Sequence, residues 1–282
     1  MQKVAFSRER KATLAAAEGR VGFPVADVDR TASGRTGRRR WRRIWPSALR
    51  ALTDLTFPPR CAHCDAEIGA PAPAELPCGP CQARLLGPPV RRCSGCGAAI
   101  ANETGRCPQC GLRPPAFDRV WVLGDYAGEL RTAVLRMKRS SEEPLAAALA
   151  ELLFERAGTE IGAWRPDVVL PTPMHWLRRA VRGANSAETL GTVLSRRLRT
   201  PSGAGCLVRR RFTPPQSGLS PHARLLNVRG AFRLRPGVDL AQARVLLVDD
   251  VLTTGATCGE IAKLLQQAGA AAPAVAVVAR AG

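Results

Sequence analysis

No stretch of this 282-residue chain is long and apolar enough to cross a bilayer. The longest nearly uncharged apolar run, Ala268 to Ala279, is twelve residues with Gly and Pro inside it, against the roughly 18 that a spanning helix needs. Membrane insertion is therefore not expected. Near the N-terminus there is also no continuous apolar segment of the about 7–15 residues a secretion signal requires, so the expected location is the cytoplasm. Acidic side chains are scarce: 23 Asp and Glu stand against 42 Lys and Arg, a net charge of +19, and residues 1–60 alone hold fourteen basic and five acidic groups. No helix-turn-helix is visible. At 45% apolar residues the chain can nevertheless bury a real core of one to two domains.

Residues 1–45 show no sustained period of 3.6 or 2 and end in Arg38-Arg39-Arg40-Trp41-Arg42-Arg43. They read as a disordered basic arm. Its arginines suit phosphate backbones and its Trp41 and Trp45 suit stacking on bases; the plainer alternatives are a solvated tail or a start codon set too far upstream.

Residues 46–115 are rich in Cys, Gly and Pro. Eight of the ten cysteines form four C-x-x-C pairs, Cys61/Cys64, Cys78/Cys81, Cys93/Cys96 and Cys107/Cys110. Outside an oxidising compartment such a series reads as metal ligation. Zinc takes four thiolates in a tetrahedron, and each knuckle supplies two on one tight turn. The spacing favours sequential pairing, Cys61, Cys64, Cys78 and Cys81 in one site and Cys93, Cys96, Cys107 and Cys110 in the other, with crossed pairing as the alternative. Four thiolates leave no open position, so two structural Zn²⁺ sites are expected. His63, inside the first knuckle, is expected to be exposed, and Cys206 and Cys258 to be core residues.

Residues 116–282 change texture. Strands are expected at 120–123, 167–170, 206–211, 244–248 and 274–279, and helices at 129–139, 141–157, 186–198, 221–228 and 257–268. Such alternation implies βαβ units and a parallel sheet flanked by helices, an α/β fold. The most specific segment is Val245-Leu246-Leu247-Val248-Asp249-Asp250-Val251-Leu252-Thr253-Thr254-Gly255-Ala256-Thr257. A buried strand ends in two carboxylates at the edge where parallel sheets bind ligands. Small residues and hydroxyls then lead into a helix N-terminus that favours an anion. Acceptor-only carboxylates suit a vicinal diol or hydrated Mg²⁺, so a sugar phosphate fits every group.

This segment resembles the 5-phosphoribosyl-1-pyrophosphate (PRPP) motif of type I phosphoribosyltransferases. Over residues 46–282 the chain resembles the ComF/GntX branch, a double zinc ribbon followed by a phosphoribosyltransferase domain. Phe57-Pro58-Pro59-Arg60-Cys61, Tyr126, Gly128, Lys138, Arg178, Asn185, Pro215-Gln216, Leu219, Arg224, Asn227 and Gly230-Ala231-Phe232 also match it. The resemblance implies PRPP bound with Mg²⁺, with Asp249 and Asp250 as catalytic acids and Thr253, Thr254, Gly255, Ala256 and Thr257 on the 5′-phosphate. It implies a pyrophosphate loop of Thr172, Pro173, Met174 and His175 with Arg182, and a lid at 209–216 bearing Arg209, Arg210 and Arg211. Phosphoribosyl transfer to an acceptor and a role in DNA uptake follow from it. So does the alternative, a non-catalytic adaptor for single-stranded DNA or a competence helicase. The chain departs from the family at Ala184 and Ser186, where Phe and Gln are usual, and no base-reading hood is identifiable.

Overall fold

Four apolar segments make one parallel sheet: β1 (Val120–Asp125), β2 (Val168–Pro171), β5 (Val245–Leu252) and β6 (Ala274–Arg280), in the order β1-β6-β5-β2. The computed structural model describes residues 58–68, 76–101, 107–112, 114–177, 179, 183–213, 220–271 and 273–282. The basic arm, Phe57, Arg178, Arg182, Pro215, Gln216 and Leu219 lie outside the described residues.

Both faces of the sheet are covered, which is why its strands are continuously apolar rather than alternating. On one face Trp121, Leu123, Leu246, Val248, Ala274 and Ala276 meet α3 (Gly128–Arg136), α4 (Glu143–Trp164) and α5 (Ser186–Leu198). On the other, Val120, Val122, Val245, Leu247, Val275 and Val277 meet α7 (Ala256–Gln267) and a two-stranded antiparallel ribbon of β3 (Leu207–Arg209) and β4 (Phe232–Leu234). Between β3 and β4 stands α6 (Pro221–Val228), capped by the Ser220 hydroxyl accepting from the Ala223 N–H. The parallel α/β architecture agrees with the expectation.

Several elements differ from their expected extents: β3 keeps only Leu207–Arg209 of 206–211, and α3 ends at Arg136 rather than at 139. Helix α4 runs on to Trp164 through Gly158 and Gly162. Glycine weakens a helix, but at Gly158 a Cβ would stand 2.8 Å from the Phe154 ring, so the ring one turn earlier on the same helix lies over the missing side chain. Strand β4 was not expected; it is three residues long and carries the exposed Arg233 in its middle. Strand β5 continues through Asp249 and Asp250 to Leu252, with Asp249 opposite Val277 and Val251 opposite Ala279. The acids therefore lie within the strand and not beyond its end.

The Cys-rich segment carries two short helices, α1 (Gly79–Leu86) and α2 (Pro108–Leu112). Cys61, Cys81 and Leu85 join the same apolar cluster as Trp121, Leu130 and Val134. The third knuckle reaches the other end of the chain, where the Arg280 guanidinium donates to the carbonyls of Cys96 (2.8 Å) and Leu252 (3.3 Å).

Candidate functional site

The four knuckles assemble in sequence order. Ligand atoms of Cys61, Cys64, Cys78 and Cys81 all lie within 4.8 Å of one another, and so do those of Cys93, Cys96, Cys107 and Cys110. Sγ separations of 3.7 Å (Cys64 to Cys78) and 3.6 Å (Cys96 to Cys107) match the about 3.8 Å edge of a tetrahedron with 2.3 Å metal–sulfur bonds. The modules are built alike. Cys61 N–H donates to the Ala66 carbonyl and Cys93 N–H to Ala98, each at 2.8 Å. The Cys78 and Cys107 N–H groups donate to the Cys61 and Cys93 sulfurs at 3.3 and 3.2 Å. Burial pushes the Cys61 and Cys93 thiols up, but backbone N–H groups outweigh it and bring both down to about 6. The Cys81, Cys96 and Cys110 thiols of the same clusters are pushed up, chiefly by burial; it is the gathering of four sulfurs, whose thiolates are the ligating form, by which each cluster could hold a structural metal ion.

Asp65 and Gly97 occupy the same left-handed position in the two modules, at φ 63° and 73°. Only the second needs glycine for space, since a Cβ there would stand 2.5 Å from Val122 Cγ2. His63 departs from expectation: it is 8% exposed, and its Nε2 lies 3.0 Å from Glu129 Oε2 on α3. Its carbonyl accepts from Arg136 Nη1 at 2.6 Å. The first knuckle is thereby tied to the helix that leads to Lys138.

The second group of residues gathers at the C-terminal ends of β2 and β5. Thr172 follows β2 directly, and its hydroxyl donates to Asp249 Oδ1 at 2.8 Å. The Asp250 N–H donates to the same oxygen at 2.9 Å. Lys138, just beyond α3, places Nζ 3.1 Å from Asp250 Oδ2, and the buried Cys258 thiol lies 3.9 Å from Asp249 Oδ2. Burial, then the Asp250 charge, pushes the Asp249 carboxyl up to about 7 against the Thr172, backbone and Lys138 contacts. Burial and the same two acids hold the Cys258 thiol neutral, which overrides any lowering by the N-terminus of α7.

Beyond Leu252 the chain turns through Thr253, Thr254 and Gly255 into α7. Gly255 is the N-cap at φ 75°, ψ 8°, a left-handed conformation that favours glycine. The Thr254 hydroxyl accepts from the Ala256 N–H at 3.4 Å, and the Gly255 carbonyl accepts from Gly259 N–H at 2.7 Å. Thr253 and Thr257 are half-buried, Thr254 is exposed and Ala256 is buried.

His175 is buried at the end of the loop that runs Thr172-Pro173-Met174, its Nδ1 accepting from the Leu177 N–H at 3.3 Å. Asn185 is buried too; its amide donates to the Thr172 carbonyl (3.1 Å) and its oxygen caps α5. Of the arginines at 209–211, Arg209 stacks over Phe232 and also reaches the Thr213 hydroxyl. Arg211 is spent on the carbonyls of Asn227 and Arg229, and Arg210 is exposed. Lys138 and Asn185 are the residues that complete the site; Lys138 meets Asp250 across 112 positions, which no local pattern announces.

A cleft of about 790 Å³ lies elsewhere, between the first knuckle and helices α4 and α5. Its charges face each other in pairs: Arg60 with Asp65, Arg136 with Glu142 and Arg196 with Glu151. It has no surplus charge with which to hold an anion.

No family model matches the chain. Competence protein F of Haemophilus influenzae is 32% identical over 214 residues, covering 74% of this chain and 92% of that protein. DNA utilization protein YhgH of Escherichia coli K12 is 34% identical over 197 residues, covering 64% and 86%. Among solved structures, adenine phosphoribosyltransferase of Leishmania tarentolae aligns at TM-score 0.29 and 21% identity over 48% of this chain and 55% of that one. Among the described residues no helix is long and apolar enough to cross a membrane.

Proposed function

The chain belongs to the ComF family, and we propose that its α/β unit binds PRPP with Mg²⁺ and transfers the phosphoribosyl group within a role in DNA uptake. The observation that carries this reading is the Thr172–Asp249–Asp250–Lys138 constellation at the mouth of a loop closed by a left-handed Gly255. It supplies oxygen acceptors for a vicinal diol beside backbone N–H groups for a phosphate.

In this reading the 5′-phosphate sits on residues 253–257 and the ribose hydroxyls donate to Asp249 and Asp250. The bond from C1 to pyrophosphate breaks as the acceptor's nucleophile closes on C1, and the sugar gains positive charge that the carboxylates stabilise. Carboxylate oxygens are hard donors of the kind Mg²⁺ takes, and the ion would supply neutralisation of the departing pyrophosphate. Lys138 pairs with Asp250; exchanging that carboxylate for a phosphate oxygen places its charge on the leaving group. His175 stands at the end of the Thr172–Met174 loop, and by family resemblance Arg182 is a further cation for the pyrophosphate. Zinc is the metal we assign to both cysteine clusters, because four thiolates at tetrahedral spacing leave it no open position.

Calorimetric titration of Mg²⁺–PRPP into the zinc-loaded protein tests the reading. Binding that Asp249→Asn/Asp250→Asn abolishes, followed by pyrophosphate release with a suitable acceptor, supports transfer. Tight single-strand DNA binding that ignores both substitutions, with no PRPP binding, supports the adaptor instead.

A further inference from the structure

The candidate phosphate loop begins at a peptide plane that two donors hold. The Leu252 carbonyl accepts from the Ala281 N–H at 2.9 Å and from Arg280 Nη1 at 3.3 Å, which engages both of its lone pairs. A trans peptide is planar, so the orientation of that carbonyl also fixes the N–H of Thr253, the first residue of the segment 253–257. The same guanidinium donates through Nε to the Cys96 carbonyl at 2.8 Å. One side chain at the end of β6 thus bridges the second cysteine cluster and the loop, across 184 and 28 positions of sequence.

The cluster end of this bridge is held from several sides. The Val120 N–H donates to the Ser94 carbonyl and the Gly97 N–H to the Cys93 carbonyl, each at 2.8 Å. Arg92 Nη1 donates to the Gly97 carbonyl at 3.1 Å and to Asp125 Oδ1 at 2.8 Å, and Asp125 lies opposite Arg280 in the register of β1 with β6. A Cβ on Gly97 would stand 2.5 Å from Val122 Cγ2 and 3.7 Å from Arg280 Cδ, so the Cys96–Gly97 peptide lies directly against the arginine stem. The first module, built alike, meets α3 instead through His63.

We infer that Arg280 is a positioning residue that couples metal occupancy of the Cys93, Cys96, Cys107 and Cys110 cluster to anion binding at residues 253–257. This rests on the reading of that loop as the seat of a sugar 5′-phosphate. Metal in the cluster keeps the Cys96 carbonyl in place, the carbonyl orients the Arg280 fork, and the fork keeps the Leu252–Thr253 peptide turned for the phosphate. Coupling between two binding sites is reciprocal. Metal in this cluster therefore tightens the phosphate, and the phosphate tightens the metal by the same factor.

The test equilibrates the full-length protein in zinc buffers of graded free-metal concentration, with and without saturating ribose 5-phosphate or Mg²⁺–PRPP. A brief alkylation pulse read by mass spectrometry gives the occupancy of each cluster, Cys96 and Cys107 reporting on one and Cys64 and Cys78 on the other. Either ligand should raise the zinc affinity of the second cluster by about 5- to 150-fold. Arg280→Ala should abolish that gain and weaken both ligands on the zinc-loaded protein by a similar factor. Binding of Mg²⁺–pyrophosphate, which lacks the 5′-phosphate, should stay at the parent's level. Arg280→Lys, which keeps a donor on a long stem, should recover part of both effects. An arginine that only stabilised the fold would lower zinc affinity equally with and without ligand and would weaken pyrophosphate as well. The effect of ligand on the parent's own zinc affinity tests the coupling even where Arg280→Ala fails to fold. If ligand leaves that affinity unchanged, or if Arg280→Ala retains the gain, the inference is overturned, and Mg²⁺–PRPP binding in those samples leaves the PRPP reading standing. Coupling to ribose 5-phosphate in a protein that does not bind Mg²⁺–PRPP keeps the inference and refutes that reading. If neither ligand binds the parent, both fall.

Discussion

Replacing Asp249 by Asn should make the protein more stable and less able to bind its ligand. Burial and the adjacent Asp250 raise the Asp249 carboxyl from an ordinary 3.8 to about 7. The protonated form thus favours the fold; that preference is complete below about 3.8 and is lost as pH rises through about 7. Three units at about 1.4 kcal/mol each give about 4 kcal/mol lost by pH 8 as an upper bound. Asparagine is neutral throughout, so the variant should gain up to that amount at pH 8 and about half of it at pH 5.5. At about 2–4 °C per kcal/mol for a domain of this size, thermal melts should show the variant several degrees above the parent at pH 8, with the gap narrowing at pH 5.5. A variant that melts at or below the parent at pH 8 refutes the reading that burial and the Asp250 charge outweigh the hydrogen bonds Asp249 accepts from Thr172 and the Asp250 N–H.

Two further outcomes follow from the cysteine modules. Metal analysis should find two zinc ions per chain, and chelation should unfold at least the segment that contributes Cys61, Cys81 and Leu85 to the core, since structural zinc contributes about 10 kcal/mol or more; an unchanged melt after stripping both ions would contradict this. Gly97→Ala should cost about 2–4 kcal/mol, combining a left-handed alanine with a 2.5 Å clash on Val122, and a denaturant midpoint within error of the parent would contradict the close docking of the third knuckle on β1.

What was legible in the sequence was what local chemistry sets. C-x-x-C spacing announced each knuckle, and the apolar run into Asp249, Asp250 and Thr253 announced the strand, turn and helix that bear the candidate phosphate loop. What was hidden depends on distant contacts. His63 is buried because Glu129, 66 residues away, meets it. Strand β4 exists only as the partner of β3. Lys138 matches the family, but its ion pair with Asp250 is a product of topology. The acids sit inside β5 because β6 continues alongside them, an extension that a sequence of carboxylates argues against.

The most direct test of the central claim is the heat of binding of Mg²⁺–PRPP to the zinc-loaded protein beside its Asp249→Asn/Asp250→Asn variant. The account predicts saturable one-to-one binding in the parent and none in the folded variant. Absence of binding in a parent that is folded and carries two zinc ions, or equal binding in both proteins, would contradict it.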